Sequence, residues 1–163
     1  MRPVLFLNLE GVCHPLEVSY AFRSGQVDVG AVPFSWIEPL RAVAESWDIS
    51  VVLRSAATAV HSVEAMQKLA PAWLQERIVG STSDVIRFIS LDRVRKVNTA
   101  FGVVKRYVDE HEIRHWLVLS DDDDGWPALA RSRQHLVLCD SQRGLTEPAV
   151  IARLEAAFIA CAP

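Results

Sequence analysis

The sequence predicts a doubly wound α/β fold, with about five parallel strands, helices on both faces and a small flap after the first strand. Three observations carry this expectation. Short apolar runs alternate with longer segments of helical period, the pattern of successive βαβ units. The runs are almost continuously apolar, as strands buried on both faces must be. The chain has 163 residues, half of them apolar, enough to bury a true core, and is expected to form one domain over residues 1–163.

Taken in order, the expected strands are Pro3 to Leu9, Ile49 to Leu53, Arg77 to Val79, Trp116 to Leu119 and His135 to Cys139. Between them, Phe34 to Trp47 places Trp36, Leu40, Val43, Ala44 and Trp47 at helical spacing, and Val60 to Leu69 and Val97 to Val108 do likewise. Thr146-Glu147-Pro148 opens a last helix with a capping hydroxyl and an early proline, and Ile151, Leu154, Ala157 and Phe158 form its apolar stripe. Pro15 to Gly30, with Gly25 and Gly30 among scattered apolar residues, reads as the flap.

Seventeen basic against twenty acidic residues leave a formal charge of −3, which offers no general field for nucleic acid or an anionic membrane. Cys13, Cys139 and Cys161 are odd in number, widely spaced and free of any zinc-type cluster, so free thiols are expected. No apolar run is long enough to span a bilayer and none near Met1 has the length of a signal peptide core. The expectation is a cytoplasmic protein with no membrane association.

In an open α/β sheet, ligands bind beyond the carboxyl ends of the strands. Here those positions carry Asn8-Leu9-Glu10-Gly11-Val12, then Arg54-Ser55-Ala56-Ala57-Thr58, then Ser120 followed by Asp121, Asp122, Asp123, Asp124 and Gly125. Alternation along an extended chain sends residues 8 and 10 to the same side. Four consecutive aspartates repel one another and need a cation or a helix N-terminus to compensate them. A solvated acidic loop is the plainer alternative.

VLFLNLEGVCHP, VVLRSAAT and LVLSDDDDGWP resemble, over nearly the whole chain, the motifs of the haloacid-dehalogenase-like (HAD) phosphohydrolases. The tail LVLCDSQRGLTEPAVIARLEAAF is similar to that of a small, nearly capless branch found beside RNA repair enzymes. The resemblance implies a carboxylate nucleophile at position 8, an acid/base two residues on, a phosphate-binding hydroxyl at Ser55, a phosphate-steadying lysine at Lys96 (ahead of Lys105), and magnesium. It implies metal contacts from Asn8, Glu10 and Asp121, with Asp122 or Asp124 as partner, and phosphate contacts from Ser55, Thr58, Lys96 and Arg54. Ser55 is equally suited to cap a helix.

The first motif departs from the family's DxDG. Asn8 stands at the nucleophile position, and a carboxamide cannot form an acyl phosphate by carboxylate attack. Glu10 keeps a titratable carboxyl one methylene longer. His14 reads as a turn residue or a pocket-mouth residue. Arg23, Arg93 and Arg95 read as surface charge, Trp36, Trp47, Trp73 and Trp116 as core, and Trp126 as a flank of the pocket.

Three functions are compatible with these residues. One is a catalytically impaired or inactive domain that binds a small phosphorylated ligand or a nucleic-acid end. Another is a magnesium-dependent phosphomonoesterase or nucleic-acid-end phosphatase of altered mechanism. The third is a partner-binding structural protein.

Overall fold

The computed structural model describes residues 2–18, 32–86 and 98–161. Strands β1 (Val4–Asn8), β2 (Ser50–Arg54), β3 (Ile78–Ser81), β4 (Trp116–Ser120) and β5 (Leu136–Leu138) form one all-parallel sheet in the order β3-β2-β1-β4-β5. This is a Rossmann-like arrangement. The order reverses between β1 and β4, which opens a crevice at the carboxyl ends of those two strands.

Side-chain alternation divides the core into two layers. Leu5, Leu7, Val51, Leu53, Leu117 and Leu119 pack with Leu40, Val43, Leu154 and Phe158, from helices α1 (Arg41–Ser46, entered through a 3-10 turn at Glu38–Leu40) and α6 (Pro148–Ala160). On the other face Val4, Phe6, Val52, Trp116 and Val118 pack with Val103, Val104, Tyr107 and Val108 of helix α4 (Ala100–Glu110). Asn8 pairs in register with Arg54, and Leu7 with Leu119. Residues 8, 54 and 120 thus continue the alternation of Phe6, Val52 and Val118, and their side chains turn toward the α4 side.

The remaining helices are α2 (Val63–Leu69), α3 (Ala72–Gln75) and α5 (Ala130–Arg133). Several boundaries differ from the sequence expectation. The first covering helix starts at Glu38 rather than Phe34, because Phe34 has a positive φ of 57° and Pro39 sits in the opening turn. The second starts at Val63, where the Ser62 hydroxyl accepts from the Ala65 amide. Thr146 does not cap α6: its hydroxyl donates to the Arg143 carbonyl at 2.6 Å, and Glu147 is the N-cap, without a side-chain bond. Most of the expected flap, residues 19–30, lies outside the described residues. Among the described residues, no helix is long and apolar enough to cross a membrane.

Candidate functional site

A cavity of about 400 Å³ sits at the crevice between β1 and β4. It is lined by Asn8, Glu10, Arg54, Ser55, Asp121 and Asp122, and on the α4 side by Thr82, Asn98, Ala100, Val103 and Asp124. A larger groove, about 770 Å³, lies among Arg2, Lys105, Asp109, His115 and Trp116. That groove is at the amino-terminal edge of the strands, away from the convergent acidic residues, so the smaller cavity is the candidate site.

The strand ends fix its geometry. Asn8 is buried, and its Nδ2 donates to Asp121 Oδ1 at 2.6 Å and to the Glu10 carbonyl at 3.1 Å. The Ser55 hydroxyl donates to Glu10 Oε1 at 2.5 Å and accepts from the Ala57 amide at 3.0 Å. Ser55 therefore both faces the cavity and caps the short 3-10 turn at Ala56–Ala59. Arg54, whose side chain is 13% exposed, donates through Nη2 to Ser120 Oγ at 2.9 Å and to Asp122 Oδ2 at 2.7 Å.

The acidic run is compensated residue by residue. Asp121 receives the Asn8 amide and Asp122 pairs with Arg54. Asp123 pairs with Arg133 at 2.7 Å. Asp124 accepts the Ala100 amide at 3.1 Å through its side chain and the Phe101 amide at 3.1 Å through its carbonyl, at the N-terminus of α4. Burial holds the Asp121 carboxyl above its ordinary range; nearby Asp122 adds to this, while its own backbone amide, the Asn8 bond and Arg54 oppose it.

Some residues expected at the site are elsewhere. Thr58 does not line the cavity: its hydroxyl donates to the Ser55 carbonyl at 2.7 Å and accepts from Ser81 Oγ at 2.8 Å. Trp126 is not a pocket flank but a core residue, packed on Phe101 at 4.8 Å and Trp116 at 6.3 Å between ring centroids. His14 is buried, and its Nδ1 accepts from the Phe34 amide at 3.3 Å. Lys105 pairs with Asp109 on the exposed side of α4. Lys96, Arg23, Arg93 and Arg95 lie outside the described residues.

The lining residues Thr82, Asn98, Ala100 and Val103 were not expected. Their sequence signal was slight, amounting to Thr99 as a helix cap two positions past the expected start. Cys13 and Cys139 are buried free thiols. Burial pushes Cys13 well above the ordinary thiol range and Cys139 up to about 12.

The model of a protein family described as the HAD domain in Swiss Army Knife RNA repair proteins matches residues 4–150. The chain belongs to this family. The match takes in all five strands and the three loops that build the cavity. No curated protein and no solved structure matches the chain.

As a HAD domain, the chain is of phosphohydrolase type. HAD proteins generally depend on magnesium, a hard cation that needs several convergent oxygen ligands. The residues present do not fit a resident magnesium ion. The Asn8 amide nitrogen stands between Asp121 and the Glu10 carbonyl, the Asp122 carboxylate is engaged by Arg54, and the Glu10 carboxylate is turned to Ser55. Among the described residues, no group of three or more His, Cys, Asp or Glu is arranged to hold a metal ion.

Proposed function

We propose that this HAD domain binds a phosphorylated ligand without transferring its phosphoryl group. The observation that carries the reading is Asn8 at the nucleophile position, its amide fixed by two acceptors. A carboxamide in that place offers no carboxylate oxygen to attack phosphorus. The family's description, which names RNA repair proteins, supports the phosphorylated end of an RNA as the ligand, with a small phosphomonoester as the alternative within the same chemistry.

Arg54 and Ser55 are among the donor side chains that line the cavity, and a phosphate would draw them from their present acceptors, Ser120, Asp122 and Glu10. Against Glu10, Asp121, Asp122 and Asp124, a phosphate needs further positive charge, and the family resemblance offers Lys96 to provide it. Glu10, within the cavity, supports a second reading in which it activates water for slow hydrolysis.

Calorimetry with phosphate-ended RNA and simple phosphomonoesters, alongside phosphate release in magnesium buffer, separates these readings. The expected result is saturable binding, weakened in Lys96→Ala, with release at least about a thousandfold slower than in Asn8→Asp. Release by the native chain at a rate near that of Asn8→Asp would favour water activation by Glu10. The absence of both binding and release would leave a structural, partner-binding role.

A further inference from the structure

We infer that the Asn8 carboxamide takes the place of a divalent cation in this pocket, so that the domain engages its ligand with no resident metal. The amide has two N–H bonds and the structure gives it two acceptors, Asp121 Oδ1 at 2.6 Å and the Glu10 carbonyl at 3.1 Å. Its donor capacity is fully used. The reverse orientation would set Oδ1 against the same two oxygens, so the network itself fixes which way the amide points.

A carboxylate at position 8 would behave differently. It would bring a third oxygen to a point where two already converge, 2.6 Å from one of them. Two carboxylates that close cannot both remain charged without a proton or a cation between them. The native chain avoids this with a neutral donor. It also compensates the rest of the acidic run from within: Asp122 by Arg54, Asp123 by Arg133 and Asp124 by the Ala100 amide at the start of α4. Each carboxylate of the run thus has a donor within the chain, a neutral one in the case of Asp121.

The step from metal independence to ligand binding rests on the ligand-binding reading above, whereas the metal step stands apart from it. The test titrates Mn²⁺ into the full native chain and into Asn8→Asp, following free Mn²⁺ by electron paramagnetic resonance, with melting temperatures measured with and without Mg²⁺. The native chain is expected to show no stoichiometric site and no Mg²⁺-dependent shift. Asn8→Asp is expected to bind one equivalent at least about tenfold more tightly, through the added charge at the ion.

One-equivalent Mn²⁺ binding by the native chain as tight as that of Asn8→Asp would overturn the inference. Should Asn8→Asp fail to fold, the titration of the native chain alone decides, since a stoichiometric site there contradicts it. Inorganic phosphate binding to the native chain, compared in excess EDTA and in Mg²⁺, gives a second reading. Equal affinity supports the inference, and loss in EDTA overturns it. If phosphate binds in neither condition, the ligand-binding proposal fails while the Mn²⁺ result still decides the role of Asn8.

Discussion

At Gly11 the chain leaves β1 with a φ of +66°, and a Cβ built there would lie 2.7 Å from Asp121 Oδ2 and 2.9 Å from Ser141 Cβ. Both the backbone conformation and the space call for glycine. Gly11→Ala is expected to destabilise the fold by about 1–3 kcal/mol, measured by urea denaturation, and to weaken ligand binding by displacing Asp121. A variant as stable as the native chain would show that the loop relaxes freely. The strand-end rule located Asn8, Glu10, Arg54, Ser55, Asp121 and Asp122 in the sequence, and the structure gathers them around one cavity. Thr58 escaped that logic because a tight 3-10 turn swings its hydroxyl onto the Ser55 carbonyl. Trp126 escaped it because Gly125, with a φ of +72°, turns the chain so that the indole packs among Phe101 and Trp116. Neither turn leaves a periodic pattern to read.

The N-terminus of α4 joins the acidic loop to the cavity wall. Thr99 Oγ1 accepts the Gly102 amide at 3.1 Å, and Asp124 accepts the Ala100 amide. Gly125 lets the loop approach closely, since a Cβ there would lie 2.3 Å from Thr99 Oγ1. Asp124 is thus a helix anchor, and the cavity residues Ala100 and Val103 are held in place through it. Asp124→Ala is expected to cost about 1–2 kcal/mol, the range of a lost cap with its dipole contribution. Asp124→Asn keeps the acceptor and should lose less than half of that. Equal losses in the two variants would mean that charge rather than the hydrogen bond holds the helix end. The periodicity of α1, α2, α4 and α6 was readable because each presents an apolar stripe to a sheet face. Helices α3 and α5 went unread, since four residues make barely one turn and carry no period.

For the whole molecule, the alternation of apolar runs and helical segments was enough to predict a parallel doubly wound sheet, because each strand is buried on both faces and shows it in its composition. Partners across the sheet were not readable: Asn8 and Asp121 are 113 residues apart and meet only because β1 and β4 are neighbours. Types of residue at the site were therefore legible and their pairings, Asn8 with Asp121, Arg54 with Asp122 and Ser55 with Glu10, were not. Burial also sets how the molecule responds to acid. His14 is 1% exposed, and burial lowers its pKa from 6.5 to about 4. Between those values the unfolded chain takes up a proton that the folded chain excludes, so stability rises with pH across the window. It is fully present above pH 6.5 and is progressively lost toward pH 4. The full effect is about 3 kcal/mol. His115, also lowered by burial, acts in the same direction, whereas Asp121, held up by burial, acts in the opposite one. Comparison with His14→Asn isolates the His14 contribution, because the other two groups are common to both proteins. Urea midpoints measured from pH 7 down to pH 4.5 should fall more steeply for the native chain than for the variant. Parallel slopes would show that His14 takes up its proton in the folded chain without cost to its packing against Phe34.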